Sequence, residues 1–345
     1  MSELTHTPSI ALTSRGDKAT DTMRAPTQQE LMRELGVKPK PGWTSRLPPS
    51  VAAFVTNGKG MAGVVILLAL VLTAVFAPLL SSYDPGRRAG KPHVQPSYEH
   101  VLGTTRMGKD VFTQLVHGAR VSLAVGFGAG IFAAMIGLAI GISSGYFGGK
   151  VDDILTFFVN VVLVLPGLPL IIVIATMVEQ ASPMVIGLVL ALTGWGWAAR
   201  TIRTQTLALR TREFVLSAEL MGEKKWRIIL VEIFPNMLSF VMGGLVLGTI
   251  AAILAEAALE FIGLGDPNAV TWGTMLFWAQ RNMALQSGAW WEVFPPCLAI
   301  MLTGAALVLV NFAVDEITNP QLKASRNIGR IRKFLSRRGR SADVF

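Results

Sequence analysis

Long apolar runs alternate with short polar connections over most of this chain. A helix needs about 19 uncharged, mostly apolar residues to cross a bilayer. Six stretches meet that requirement: 61–83, 121–149, 154–178, 181–199, 237–255 and 293–314. The pattern predicts an all-α, polytopic membrane protein with six transmembrane helices. Only Glu179 and Gln180 intervene between the third and fourth stretches, which predicts a tight helical hairpin there. The organisation read from this pattern is a polar leader (1–60), a first membrane helix (61–83), an extracytoplasmic segment (84–120), a membrane core (121–320) and a basic tail (321–345). The leader is too long for the n-region of a cleavable signal peptide, so its hydrophobic successor reads as an anchor. Its composition predicts partial disorder, with a short amphipathic segment around 28–35.

Composition agrees with the pattern. Of 345 residues, 51% are hydrophobic and 15% charged, whereas a soluble domain carries about 25% charge. The single cysteine, Cys297, excludes an internal disulfide and any cysteine-only metal site. Four scattered histidines (His6, His93, His100, His117) give no metal-ligand pattern, so neither a metal nor a cofactor is expected. The net charge of +9 is read as a topology signal, not as a nucleic-acid footprint. Eight Lys and Arg lie in the leader, one at Lys150, seven within 200–227 and eight after residue 314. The opposite side holds seven: Arg87, Arg88, Lys91, Arg106, Lys109, Arg120 and Arg281. This asymmetry predicts both termini in the cytoplasm, and the basic tail reads first as a lipid-surface feature.

Glycines recur inside the spans at four-residue spacing: Gly126/Gly130, Gly137/Gly141 and Gly244/Gly248. Such pairs let helices approach closely. Chemistry-bearing motifs are absent. The nearest approach to a nucleotide-binding loop, around Gly145 to Val151, has Ser144 where the first glycine belongs and Val151 in place of the magnesium-binding hydroxyl. If the chain belongs to an energy-driven machine, ATP must be hydrolysed elsewhere.

The most informative polar segment is 211–236, TREFVLSAELMGEKKWRIILVEIFPN, between the fourth and fifth spans. It reads as helix, turn, helix, with Gly222 capping the first helix at positive φ and Pro235 marking the approach to the next span. Such a hairpin, continuous with two spans, can act as a lever on a partner. Three further features stand out. Glu256 and Glu260, spaced i and i+4, share a helix face near the outer end of span five, where water is expected to reach them; they are candidates for a gate or pathway. Asn160 in span three is a candidate for interhelical hydrogen bonding or pathway lining. Pro166 removes a backbone donor and predicts a kink that could open a cavity.

The hairpin resembles the cytoplasmic loop of importer-type permeases of ATP-binding-cassette systems. That loop's pattern is Glu-Ala-Ala, then Gly after three positions, then Ile-x-Leu-Pro. The corresponding residues are Leu216-Ser217-Ala218, Gly222 and Glu232-Ile233-Phe234-Pro235. Other runs are similar to the dipeptide, oligopeptide and nickel permease group, in particular its second, C-type, permease. They are Leu102-Gly103-Thr104-Thr105 through Ser122-Leu123, Leu165-Pro166-Gly167, Glu256 through Gly265, Thr271-Trp272-Gly273-Thr274-Met275-Leu276, and Asn311, Asp315, Asn319 and Pro320. The resemblance covers roughly 102–322.

It implies a permease subunit of an ATP-driven importer in the bacterial or archaeal cytoplasmic membrane. Its partners would be a second homologous permease subunit, two ATPase subunits or domains, an extracytoplasmic substrate-binding protein and the lipid bilayer, with no nucleic acid. The ATPase-coupling residues carried over are Glu213, Ser217, Ala218, Glu219, Gly222, Ile233 and Pro235. Di- or oligopeptides are the expected cargo; nickel complexes, opines and oligosaccharides are the alternatives within the group. A self-contained secondary transporter is a further alternative, for which inverted repeats or mid-membrane charges would speak. No catalytic residue is expected in this chain.

Overall fold

The computed structural model describes residues 54–55, 57–165, 167–177 and 182–318. Nearly all of the leader with its 28–35 segment, Pro166, the Glu179–Gln180 connection, Asn319, Pro320 and the basic tail lie outside the described residues. Among the described residues ten helices carry the fold: α1 (Gly58–Val75), α2 (Ala77–Leu80), α3 (Val111–Phe147), α4 (Gly149–Val164), α5 (Gly167–Met177), α6 (Pro183–Arg210), α7 (Glu213–Leu220), α8 (Lys225–Phe261), α9 (Trp272–Arg281) and α10 (Phe294–Thr318). No strand occurs among the described residues; Thr104 and Asp110 form an isolated bridge.

Five helices among the described residues are long and apolar enough to cross a membrane: Gly58–Val75, Val111–Phe147, Pro183–Arg210, Lys225–Phe261 and Trp290–Glu316. In lipid, a helix is one of the few forms that satisfies all backbone polar groups internally. The third expected span is instead two consecutive helices, α4 of 16 residues and α5 of 11. At 1.5 Å per residue, α4 alone reaches about 24 Å, short of a hydrocarbon core about 30 Å thick. The break follows from the sequence. Leu165 precedes a proline and is extended (φ −65°, ψ 129°), because the proline ring clashes with a helical conformation in the preceding residue.

The second span begins ten residues earlier than its apolar run implies. Asp110 caps α3 by accepting hydrogen bonds from the Thr113 amide and hydroxyl, both at 2.8 Å. It also takes His100 Nδ1 at 2.9 Å. The polar first turns are thus held by side-chain bonds that hydropathy does not register. The segment before α3 is further tied to the α9–α10 connection. Trp291 Nε1 donates to Thr104 O at 3.2 Å, and the Arg106 amide donates to Glu292 Oε1 at 3.1 Å.

α3, 37 residues long, is the central pillar. Its glycines leave room for neighbours on two sides. A Cβ on Gly126 would strike the Ile253 side chain, and one on Gly130 would lie 2.8 Å from Thr249 Cα, both on α8. Further along, a Cβ on Gly137 would be 2.6 Å from Ala198 Cβ, on Gly141 2.7 Å from Ala199 O, and on Gly145 2.9 Å from Arg203 O, all on α6. The third pair departs from expectation. Gly244 and Gly248 face open space, with nothing within 4 Å of where a Cβ would stand. α1 packs on α10 by the same device as the α3 seams, since a Cβ on Gly63 would lie 2.6 Å from Ala306 O. The outward faces are apolar, with Val65, Leu68 and Val75 on α1 and Phe157, Phe158 and Val164 on α4 exposed, as suits contact with lipid.

Gly141→Leu should lower the thermal stability of the detergent-solubilised chain by about 1–3 kcal/mol, since no rotamer avoids the α6 backbone. Gly248→Leu should leave it unchanged. Equal melting temperatures for the two variants would show that the α3–α6 seam does not depend on glycine.

Candidate functional site

Two groups of polar residues stand out, at opposite ends of α8. The first is the hairpin. α7 closes with a paired C-terminal motif: the Gly222 amide donates to Glu219 O at 3.0 Å and the Glu223 amide to Ala218 O at 3.1 Å. Gly222 sits at φ +75°, a conformation that a Cβ disfavours. The chain then enters α8, whose early turns at Ile228–Ile233 are π-helical. Pro235 follows one residue later; in an α-helix its ring would press on the carbonyl four residues back, and the wider π turns relieve that contact. The Asn236 side-chain amide donates to Glu232 O at 2.7 Å, giving a partner to a carbonyl in this segment.

The hairpin's root is a small core of Val215, Ala218, Ile228, Ile233 and Met237 against Ile142, Tyr146 and Ile202. The residues carried over from the family loop therefore divide into two sets. Ala218 is 6% exposed and Ile233 0%; they join the two arms and offer no surface to a partner. Glu213, Ser217, Gly222 and Pro235 are exposed. Glu219 is exposed but accepts a hydrogen bond from Tyr146 Oη on α3 at 3.2 Å. Beyond these, the turn presents large apolar side chains that motif comparison passes over: Leu220 (90% exposed), Met221 (75%) and Trp226 (60%). The signal was available, since three bulky apolar residues around a glycine in a charged loop have no reason to be there for solubility.

Beside the hairpin, Asp152 on α4 receives Arg203 Nε and Nη2 from α6, each at 2.6 Å. It also accepts hydrogen bonds from the hydroxyls of Ser144 on α3 and Thr156. Nothing in the sequence couples these positions, which are 51 residues apart.

The second group is the carboxylate pair. Glu256 and Glu260 share a face of α8 as their spacing requires, yet they are 0% and 1% exposed. The expectation that water reaches them is overturned by the chain beyond. α8 stops at Gly263 (φ +86°), with the Leu264 amide donating to Leu259 O at 3.0 Å, and the connection folds back so that the start of α9 covers both acids. Gly273 makes the cover close: a Cβ there would lie 2.8 Å from Glu260 Cβ and 2.9 Å from Ala257 Cα. Ser122 on α3 donates to Glu256 Oε1 at 3.2 Å and accepts from the Trp272 amide at 3.2 Å. The Thr271 hydroxyl donates to Glu260 Oε2, and Thr271 with Thr274 forms a capping box on α9. Glu256 Oε2 and Glu260 Oε1 have no hydrogen-bond partner among the described residues. Three runs that resemblance only placed in order thus meet in one junction of α3, α8 and α9. Asn160 is exposed on α4 and belongs to neither group. Among the described residues no three His, Cys, Asp or Glu side chains gather as a metal site would need.

Comparison with known proteins follows the same lines. Residues 137–324 match the family model described as binding-protein-dependent transport system inner membrane component. Residues 51–96 match the N-terminal TM domain of oligopeptide transport permease C. The chain is 35% identical over 272 residues to the dipeptide transport system permease protein DppC of Bacillus subtilis, covering 77% of this chain and 83% of that protein. It is 30% identical over 275 residues to the oligopeptide transport system permease protein OppC of the same organism, covering 78% and 88%. With the OppC protein of Mycobacterium bovis it shares 32% identity over 292 residues, covering 84% and 98%. The all-helical membrane fold, the hairpin between its fourth and fifth spans and these matches agree, and the chain belongs to the family of binding-protein-dependent transport system inner membrane components.

Proposed function

We propose that the chain is one permease half of an ATP-driven importer of di- or oligopeptides. It pairs with a second homologous permease subunit, receives solute from an extracytoplasmic binding protein and takes its energy from two separate ATPase subunits. The observation that carries this reading is the hairpin. It is closed by Gly222 at positive φ, rooted in its own small core, and bears Leu220, Met221 and Trp226 on an exposed rim. An apolar rim ringed by charge suits a partner's cleft far better than free water. The peptide cargo is supported by the names of the relatives, whose similarity spans most of both chains.

In this reading Glu213, Ser217 and Gly222 face the ATPase with the apolar rim, while Ala218 and Ile233 keep the arms together and Pro235 sets the joint with α8. In this reading both termini and the hairpin lie in the cytoplasm of a bacterial or archaeal cell, a placement that the lysine and arginine asymmetry supports. ATP binding draws the ATPases together and pushes the hairpin, switching the bundle from inward-open to outward-open, and hydrolysis resets it. The chain itself makes and breaks no covalent bond. Glu256 and Glu260 act at the far end of α8 as a junction whose opening would accompany the switch; their hydrogen-bonded oxygens hold α3 and α9 to α8.

Purification from native membranes in mild detergent, with mass spectrometry of what accompanies the chain, tests the assembly. Two ATPases and a second permease should be recovered, and a partner-free chain that moves solute in liposomes would refute the reading. Leu220→Ala with Met221→Ala should weaken ATPase retention about tenfold or more, with normal membrane insertion. Gly222→Val should do the same through the backbone, because a β-branched residue resists positive φ although its side chain meets open space. Glu260→Ala should lower the melting temperature by an amount equivalent to about 1–3 kcal/mol, since the Thr271 hydroxyl loses its acceptor. Glu260→Gln, which keeps an acceptor oxygen, should stay near the unaltered value in the same melting experiment.

A further inference from the structure

α3 ends beside the hairpin on two adjacent aromatic rings. Tyr146, itself buried, donates its hydroxyl to Glu219 on α7 at 3.2 Å, and the Arg210 guanidinium lies 6.0 Å from its ring centroid. Phe147 has the Lys225 ammonium 5.8 Å from its centroid. Lys225 opens α8, so this one corner meets both arms of the hairpin, on either side of the Gly222 turn. Immediately beyond, Gly148 (φ +65°) and Gly149 (φ +53°) turn the chain into α4, whose first turn carries Asp152.

The two-pronged bond between Asp152 and Arg203 then locks α4 to α6, and the Ser144 hydroxyl adds α3. From Arg203, α6 continues to its end at Arg210 and leads into α7 after two residues. Along the rest of the α3–α6 contact the seam is glycine and apolar side chains. Dispersion contacts of that kind tolerate sliding of one helix along another, whereas a fork of charge-assisted hydrogen bonds fixes register. The directional bonds are thus gathered at the level of the hairpin, where an external push would arrive.

We propose that the corner between α3 and α4, through Tyr146, Phe147 and Asp152 with Arg203, is the strut against which the hairpin bears. A displacement of the hairpin then moves α3 and α6 as one body instead of bending the hairpin at its root. These are positioning residues for energy coupling; none of them docks the ATPase. The proposal rests on the reading of the hairpin as the ATPase docking element.

The test uses the complete complex in proteoliposomes, fed with a labelled dipeptide that its cognate binding protein retains. Two quantities are read: the ATPase retained on purification and the ATP hydrolysed per peptide imported. Tyr146→Phe, which removes one oxygen atom, should keep the ATPase and raise ATP hydrolysed per peptide about fivefold, the factor for one hydrogen bond to a carboxylate at a partly exposed site. Combined with Glu219→Ala, which removes the acceptor, it should be no worse than either change alone, because both break the same bond. Asp152→Arg with Arg203→Asp should recover part of the coupling that either reversal alone destroys. An unchanged ratio in Tyr146→Phe overturns the strut, as does additivity with Glu219→Ala or loss of the ATPase itself, which would make Tyr146 a docking residue. If Asp152 variants fail to assemble, Tyr146→Phe decides. Gly222→Val separates the two ideas: should that variant retain ATPase and import, the docking role of the hairpin fails, whatever Tyr146 does.

Discussion

Close approach of helices along α3 is the constraint on which the rest of the fold depends. Lipid removes the hydrophobic drive that would press apolar helices together in water, so packing must come from short-range contact. Glycine supplies it by letting backbones meet. Gly126 and Gly130 admit α8, while Gly137, Gly141 and Gly145 admit α6. One helix thereby holds both arms of the hairpin's support, since α6 leads into the first arm and α8 continues from the second.

The consequence is a division of labour along α3. Its first turns are tied by Asp110, His100 and Thr113 to the connection before it. Its Ser122 joins the carboxylate junction under α9. Its last turn presents Ser144, Tyr146 and Phe147 to α4, to α6 through Asp152, and to the hairpin. Polar bonds are concentrated at the two ends and at one junction, and small apolar contacts fill the length between. Directional bonds therefore fix the register of α3 at its ends and at that junction.

The hairpin illustrates how a sequence pattern and its structural meaning can differ. Ala218, Gly222, Ile233 and Pro235 resemble a docking loop, yet Ala218 and Ile233 are buried in the hairpin's own root. Their residue types are explained by packing. Gly222 is explained by its backbone angle, and Pro235 by the π turns before it. The large side chains left exposed, Leu220, Met221 and Trp226, carry the surface argument instead.

Hydropathy alone determined that the chain is a helical membrane protein, and charge asymmetry supplied an expected orientation. Glycine spacing foretold two of the close seams, and the turn at Gly222 was legible because only a residue without Cβ adopts that angle cheaply. These features depend on neighbours in the chain or on the solvent, which a sequence records directly. Tertiary structure alone decided that Gly244 and Gly248 face outward, that Asp152 meets Arg203, and that Glu256 and Glu260 are covered. The third span's interruption falls between the two cases, since a proline at position 166 predicts a kink but not two separate short helices. Each of the decided features turns on which helix lies beside which, and contacts between segments dozens of residues apart leave no local pattern from which to read them.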